Sequence, residues 1–278
     1  MSELPAVAAA DGHWTAGVGW PRQDELPLHD PYLIPGTDCL DNLLGITDAG
    51  ILSGLEADVS LIRVHELMTW RAIPGDYNLG HLQDFHRVIF GDVYPWAGET
   101  RIVDIAKPPT VFTLNRDIPA MAEAVFGQLA DEQHLRGISD QGAFTTSLAH
   151  YYTAVNQLHP FREGNGRTQR AFFQQMASEA GWRLDWLEVS PAALVAAGEA
   201  PSLWEGKQIA IEMFGPAISP NPDHPLHIDS ARGRAAQLRS TTGRKPQPQA
   251  AKPSPARAAQ MHAQRLARRY PPAAGPQR

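Results

Sequence analysis

Twelve consecutive residues, 159–170, bring together the residue types that could handle a nucleoside triphosphate. They read His-Pro-Phe-Arg-Glu-Gly-Asn-Gly-Arg-Thr-Gln-Arg, which supplies a titratable base, a carboxylate, two glycines and several guanidinium groups. A histidine titrates near neutral pH and can take a proton from an attacking hydroxyl. His159 is therefore the candidate general base of the chain.

The glycines and arginines of the same segment favour an anion-binding site. Gly164 and Gly166 precede a predicted helix over 169–180, where backbone N–H groups face a bound anion and glycines let it approach closely. Arg167 and Arg170 are three residues apart and share one helix face. Two forked guanidinium groups there can bind phosphate oxygens.

Glu163, at the edge of the glycine turn, indicates a divalent cation. A carboxylate beside phosphates repels them unless a cation lies between, and Mg²⁺ suits that position. Each residue alone also has an ordinary explanation, such as a helix-capping histidine, a plain turn or a solvated arginine face. Their occurrence together, in this order, favours chemistry.

The elements that must position this segment are mostly helical. Apolar residues recur at helical spacing, and turn residues separate the helices. Two short alternating stretches, 101–105 and 110–113, predict an exposed hairpin around a turn at 106–109. There are no repeats and no βαβ alternation, so the predicted fold is mainly α with one small hairpin, not a Rossmann or TIM fold. The remaining helices are predicted over 48–70, 79–90, 118–129, 144–158, 192–197 and 203–214, with Gly215-Pro216 closing the body.

The composition is that of a globular protein with enough apolar material for one sizeable core. The 278 residues are 43% hydrophobic and 19% charged, with a single cysteine, Cys39. One cysteine excludes an internal disulfide framework and fits a reducing compartment. No apolar run reaches the roughly 18 residues of a membrane span, and acidic residues interrupt any signal pattern near the start. We therefore expect a cytoplasmic location.

Charge is distributed unevenly along the chain. After Asp229 there is no acidic residue, and 231–278 carries eleven of the 24 Lys and Arg residues, among many Pro, Ala and Gln. Such a segment has little to bury and is typical of disordered tails. It either stays solvated beside the acidic body or binds an anionic partner such as nucleic acid or membrane.

The segment 159–170 matches, at every defined position, the pattern H-P-F-x-[D/E]-G-N-G-R-x-x-R, and so resembles the signature of Fic domains. The stretch 92–101 resembles the family segment that leads into its hairpin, called the flap. The resemblance implies a Fic-type helical bundle over 36–215. An extended N-terminal arm over 1–35 and a basic tail over 216–278 then flank that domain.

The resemblance also implies an activity. Fic proteins are mostly enzymes that move AMP from ATP to a Ser, Thr or Tyr hydroxyl of a target protein. By resemblance, His159 takes the proton of that hydroxyl. Glu163 ligates a Mg²⁺ ion that bridges the α- and β-phosphates.

The remaining motif residues are implied to hold the nucleotide. Asn165, with the turn around Gly164 and Gly166, is expected to hold the α-phosphate. Arg167 is expected to bind the γ-phosphate, and Arg170 to support the β-phosphate and the loop. The target would dock on the flap, whose predicted docking residues are Ile102, Val103, Asp104, Ile105, Val111 and Phe112.

The resemblance also predicts a regulatory partner, because many Fic proteins are controlled by an inhibitory helix. Many Fic proteins are inhibited by a helix of pattern [S/T]-x-x-x-E-[G/N], whose glutamate pairs with the arginine at the position of Arg167. In this chain Ser202 precedes Glu205-Gly206 by three residues rather than four, which does not fit. Fic proteins without that helix are commonly toxins restrained by a small antitoxin that carries it, so the resemblance predicts such a partner.

Three other functions remain open from the sequence. Gly166 favours AMP transfer over the phosphoryl transfer of the Doc branch, but relatives that move UMP or phosphocholine exist. A Fic scaffold that only binds other proteins would be expected to lose His159 or Glu163, and both are present. The basic tail leaves room for a nucleic-acid-binding module.

Overall fold

Helices dominate the structure, as the apolar periodicity predicts. The computed structural model describes residues 30–107 and 110–227. The arm before residue 30, Pro108-Pro109 and the basic tail from residue 228 lie outside the described residues. The helices are α1 (Ala49–Thr69), α2 (Leu79–Phe90), α3 (Ile118–Asp131), α4 (Gln141–Leu158), α5 (Asn165–Glu179), α6 (Pro191–Gly198) and α7 (Leu203–Ala217).

Side chains that accept a hydrogen bond from the first helical turn set most of the helix starts. Asp48, Asn78, Asp140, Ser190 and Ser202 lie just before α1, α2, α4, α6 and α7, and each accepts from the backbone N–H three residues ahead. Such caps satisfy one of the unpaired donors at a helix start and stabilise it by about 1 kcal/mol. Local sequence therefore fixes these boundaries.

Helix α4 lies at the centre of the bundle and carries the candidate base at its end. It packs against α3, α5, α6 and α7. More than half of its residues are buried, including Phe144, which stacks on Trp182 at 5.1 Å between ring centroids. A helix with apolar contacts on most sides is held rigidly in a close-packed core. The C-terminal end of α4, where His159 lies, is therefore held in a fixed position.

The hairpin forms with shorter strands than predicted: the second begins at residue 110 as expected, but the first lies within the stretch 106–109 that was predicted as the turn. Its strands are β1 (Ala106–Lys107) and β2 (Thr110–Val111), which pair antiparallel with Ala106 opposite Val111. The stretch 101–105 is not a strand, so the prediction for it was wrong. Its first residue, Arg101, instead donates its backbone N–H to the carbonyl of Pro160 at 2.8 Å. Bonds to the motif segment thus replace the expected strand pairing.

The C-terminal part of the bundle also differs from prediction. Helix α7 continues through Gly215-Pro216 to Ala217, so the predicted end at residue 214 was three residues early. A proline in the last turn removes only one helical hydrogen bond, which a helix end tolerates. A second antiparallel pair, β3 (Trp182–Leu184) with β4 (Ile218–Pro220), joins this end to the chain after α5 and was not predicted.

The described end of the N-terminal arm is tied to the motif and to the flap. Asp30 pairs with Arg162 of the motif, with Oδ2 2.6 Å from Nη2. The Tyr32 hydroxyl accepts from the backbone N–H of Ile102 at 3.1 Å. None of the helices within residues 30–227 combines the length and apolarity that a membrane crossing needs.

Candidate active site

His159 ends helix α4 in a strained backbone conformation that sets the direction of its ring. Its φ is +43°, in the left-handed region, and its N–H still donates to the carbonyl of Val155 at 3.1 Å. Non-glycine residues in this region cost about 1 kcal/mol or more and often mark functional sites. The ring Nδ1 lies 3.1 Å from the Asn156 carbonyl and therefore carries the proton. The lone pair of Nε2 is left to accept one.

The surroundings of His159 keep it neutral. Its ring stacks on Phe112 of the flap, with centroids 3.7 Å apart and an interplanar angle of 17°. Burial is the main cause that lowers the pKa of His159 to about 4. The bond to the Asn156 carbonyl opposes this shift, and the positive charges of Arg101 and Lys107 reinforce it. At neutral pH the imidazole is therefore an unprotonated base.

Asn165 closes the motif segment into a compact ring. Its side-chain oxygen accepts from the Phe161 N–H at 2.9 Å, and its amide donates to the Phe161 carbonyl at 2.8 Å. The side chain is thus engaged within the loop, and the backbone N–H of Asn165 lies in the first turn of α5, where helix N–H groups are open to an anion. Asn165 is also the first residue of α5, so the predicted start at residue 169 was four residues late.

The early start of α5 separates the roles of the two glycines. Gly164 caps the helix with φ +79°, and a Cβ there would collide with the Phe90 ring, so only glycine fits. Gly166 already lies in the first helical turn and is exposed. A Cβ on Gly166 would meet only Nη1 of Arg170, at 3.5 Å. Gly164 serves the packing, whereas Gly166 leaves the helix N-terminus open.

His86 of helix α2 contacts the motif loop and helps to hold its backbone in place. The Nε2–H of His86 donates to the Glu163 carbonyl at 3.0 Å, while its Nδ1 accepts from the Gly98 N–H at 2.8 Å. The ring also stacks on Phe161 with centroids 4.0 Å apart. Burial lowers the pKa of His86 to about 4, which preserves the neutral form that this bonding requires. Nothing in the spacing of the sequence indicates this contact.

Arg167 is held by two residues of α1. Its Nη1 donates to the Ser60 hydroxyl at 2.8 Å, and its Nη2 forms an ion pair with the buried carboxylate of Glu56. The Tyr94 hydroxyl donates to the other oxygen of Glu56, and the guanidinium lies over the Phe90 ring at 4.7 Å from its centroid. Arg167, the residue predicted to bind the γ-phosphate, is thus paired with a glutamate of the same chain. That glutamate, Glu56, does not belong to the pattern [S/T]-x-x-x-E-[G/N], because Ala57 follows it.

Glu163 and Arg170 complete the charged rim of the loop. The Glu163 side chain is 44% exposed, accepts from the Gly164 N–H at 2.8 Å and lies 3.4 Å from Nη2 of Arg167. Burial lowers the pKa of the Arg170 guanidinium, with the charge of Arg167 acting in the same direction. Two nearby cations at a helix N-terminus make a site for an anion with several charges.

The predicted docking residues of the flap divide into exposed and buried ones. Ile102 is 69% exposed, and Asp104 and Ile105 are half-buried. Val103 and Phe112 are buried and contribute packing beneath the flap rather than contact surface. Val111 contributes its backbone to the strand pair. Asp104 also accepts from the Asn115 N–H at 2.6 Å, which fixes one side of the hairpin.

These positions together suit acid–base chemistry on a polyanion. The neutral imidazole of His159 directly precedes a loop that leads into the N-terminus of α5 and its two guanidinium groups, Arg167 and Arg170. The motif residues predicted to act together lie around one short loop between α4 and α5. Sequence reasoning missed Glu56, Ser60 and His86, which come from two other helices.

Comparison with known proteins identifies relatives over most of the bundle. Residues 76–177 match the model of the Fic/DOC family. The chain is 46% identical over 158 residues to protein adenylyltransferase VbhT of Bartonella schoenbuchensis, a match to 57% of this chain and 33% of the relative. It is 34% identical over 185 residues to the probable protein adenylyltransferase Fic of Escherichia coli, covering 66% of this chain and 90% of the relative.

A solved structure shares the architecture. BepC of Bartonella tribocorum, determined with bound AMPPNP, superimposes with a TM-score of 0.62 at 22% identity. The match covers 68% of this chain and 96% of the BepC chain in that structure. The chain spans about a third of the length of VbhT, but nearly all of the Escherichia coli relative.

Proposed function

The chain belongs to the Fic/DOC family, and we propose that it is a protein adenylyltransferase that moves AMP from ATP to a hydroxyl of a target protein. The observation that carries this proposal is the geometry of His159. Its Nδ1 donates a hydrogen bond to the Asn156 carbonyl, its Nε2 has no hydrogen-bond partner among the described residues, and its ring stacks on Phe112 of the flap. A base between a docking edge and a phosphate site suits transfer from a nucleotide to a protein.

The reaction is a displacement at the α-phosphorus of ATP. The target hydroxyl oxygen forms a bond to that phosphorus while its proton passes to Nε2 of His159. The bond from the α-phosphorus to the bridging oxygen breaks, and pyrophosphate leaves with the electron pair. A neutral imidazole with a pKa of about 4 is a weak base, so most of the rate must come from positioning and charge neutralisation.

The loop and α5 supply the charge neutralisation. The backbone N–H groups at Asn165 and Gly166 are proposed to hold the α-phosphate, since both lie in the first turn of α5. Arg167 is proposed to bind the γ-phosphate from the place where Glu56 and Ser60 hold it. Arg170 is proposed to support the β-phosphate.

Glu163 fits a Mg²⁺ ion that arrives with the nucleotide. Among the described residues no group of three or more His, Cys, Asp or Glu side chains forms a metal site. Mg²⁺ is commonly bound through one or two carboxylates together with phosphates and waters, and the partly exposed Glu163 offers one carboxylate next to the loop. Bound there, the ion would neutralise phosphate charge.

The flap is proposed to dock the target. Strands β1 and β2 pair only with each other among the described residues, so each keeps an outer edge. An extended target segment can add to such an edge through main-chain hydrogen bonds and bring a hydroxyl to His159 without a demanding sequence.

We further propose that a small inhibitory partner binds along α1. Arg167 bonds to Glu56 and Ser60 of that helix, so a helix that reaches Arg167 must lie beside α1. Growth arrest on expression of the chain alone, absent in His159→Ala, is the expected sign of a toxin. Normal growth with active protein would count against it.

One experiment tests the proposed reaction. The protein is incubated with a bacterial lysate and ATP labelled at either the α- or the γ-phosphate. AMP transfer leaves only the α-label on protein, whereas phosphoryl transfer leaves the γ-label. His159→Ala should reduce α-labelling at least 100-fold and leave ATP affinity within a few-fold. His65→Ala, an exposed histidine of α1, is the matched control. Undiminished labelling by His159→Ala would sink the assignment.

A further inference from the structure

Arg101 is a buried arginine that joins the flap to the candidate base. Its side chain is 0% exposed. Its Nε donates to the carbonyl of His159 at 2.8 Å, and its Nη1 donates to the carbonyl of Val103 at 2.8 Å. Its Nη2 donates to the carbonyl of Thr113. One guanidinium therefore bonds to three backbone carbonyls from three separate stretches of chain.

Two of these three carbonyls belong to the base of the flap, and the third belongs to the candidate catalytic histidine. Val103 and Thr113 flank the hairpin on its two sides, so they form the base of the flap. The third carbonyl belongs to His159 itself. Thr113 is also fastened to α4, since its N–H donates to the Gln157 carbonyl at 3.0 Å. The flap base and the end of α4 thus meet around a single side chain.

The site specifically suits an arginine. A planar guanidinium has five N–H donors in a fixed fork, whereas an ammonium group is a compact charge on a flexible stem. Burying that charge costs free energy, and among the described residues Asp104, at 3.8 Å, is the only carboxylate that forms an ion pair with it. Burial lowers the pKa of Arg101 to about 10, which leaves it protonated at neutral pH. The geometry of three divergent carbonyls offsets the cost.

We propose that Arg101 is a positioning residue that sets the distance between a target docked on the flap and Nε2 of His159. The inference rests on the proposed protein adenylyltransferase function. Among the described residues no hydrogen bond or ion pair joins the Arg101 side chain to the loop glycines, Arg167 or Arg170. We therefore expect it to act on the acceptor and not on the nucleotide. A misplacement of about 1 Å between reacting groups can cost about 100-fold in rate.

The test separates the acceptor from the nucleotide. The variant Arg101→Lys keeps the charge but cannot reach all three carbonyls. Arg136→Lys, which alters an exposed pair with Glu179, is the matched control. Labelling from α-labelled ATP is measured at graded concentrations of lysate protein and of ATP. For Arg101→Lys we expect at least a 10-fold loss of labelling rate per unit of lysate protein, with half-saturating ATP within twofold of the parent.

A second measurement tests the positioning without any activity. Amide hydrogen exchange at Arg101 and Thr113, whose N–H groups bond to Pro160 and Gln157, reports on the flap base. Arg101→Lys should accelerate this exchange at least 10-fold and leave α5 unchanged. Parent-like labelling with parent-like exchange would overturn the proposal, as would equal losses in ATP and acceptor dependence. A parent protein that labels nothing refutes the proposed function, and the exchange result still decides the role of Arg101 in placing the flap.

Discussion

Replacement of Gly166 by alanine separates the fold of the anion loop from its chemistry. Gly166 lies in the first turn of α5, is exposed, and has ordinary helical backbone geometry. A Cβ there would meet only Nη1 of Arg170, at 3.5 Å, which is normal van der Waals contact. Alanine at a helical position is more stable than glycine by about 0.5–1 kcal/mol. Gly166→Ala should therefore fold at least as well as the parent.

The same methyl group should weaken nucleotide binding. It would lie on the open side of the helix N-terminus, where a phosphate oxygen must come within about 2.9 Å of a backbone nitrogen. Losing one charge-assisted hydrogen bond costs about 1.5–3 kcal/mol, which corresponds to about a 10- to 150-fold rise in Kd for ATP. The variant should thus gain stability and lose affinity together.

Calorimetric titration with ATP and Mg²⁺, alongside thermal unfolding of the same samples, measures both quantities. Gly127→Ala is the matched control, because Gly127 lies within α3 and a Cβ there meets nothing within 4 Å. It should raise Tm by a few degrees with unchanged affinity. Gly164→Ala should lower stability, whereas Gly166→Ala should raise it. The reason is that Gly164 has a φ of +79° and the Phe90 ring occupies the space that a methyl group there would need. We expect it to lose about 2–4 kcal/mol of folding free energy.

One outcome would refute this reasoning. If Gly166→Ala binds ATP as tightly as the parent while Gly127→Ala behaves as expected, no phosphate approaches the start of α5. The assignment of the α-phosphate to this helix N-terminus would then be wrong. The proposed role of His159 as the base is tested separately and would not be affected by this result.

Two further predictions concern protonation and the buried ion pair. Burial holds His86 and His159 at pKa values of about 4 against an ordinary 6.5, so between these values the unfolded chain binds more protons. Stability is therefore complete above pH 6.5 and lost as pH falls toward 4, and a constant calorimetric Tm across that window would contradict the burial argument. Glu56→Gln keeps the shape beside Tyr94 but removes the charge paired with Arg167, so urea denaturation should show a loss of about 1.5–3 kcal/mol. In a double-mutant cycle with Arg167→Met, strictly additive losses would show that the pair contributes nothing.

Local sequence was sufficient for most of the helical framework. The predicted helix over 79–90 matches α2 at both ends, and the predicted start at residue 118 matches α3. Both helices carry clear apolar periodicity. The start of α2 is fixed by the capping side chain of Asn78, whereas α3 has no side-chain cap and carries a proline in its first turn. Where the signal was ambiguous, as in the glycine-rich start of α5, the prediction was late by a full turn.

The hairpin shows where local pattern is a poor guide. Residues 101–105 alternate as a strand does, yet the backbone of Arg101 bonds to Pro160, 59 residues along the chain. An alternating pattern indicates which side chains are buried, but it does not indicate which other segment forms hydrogen bonds with the backbone of that stretch. Similarly, residue type alone does not distinguish a buried arginine from an exposed one, so nothing in the sequence marked Arg101 as buried.

The sequence by itself determined the family of this protein and supplied the candidate groups for its chemistry: a histidine proposed as the base, a carboxylate and a glycine turn proposed to bind phosphate. Only the tertiary structure decided what each group contacts. Arg167 meets Glu56 across 111 residues, and Arg101 meets His159 across 58. Contacts over such separations form when α1 and the flap pack against the end of α4, because each buried polar group must then find a partner within reach. Residue types specify the chemistry, and packing selects the partners that orient it.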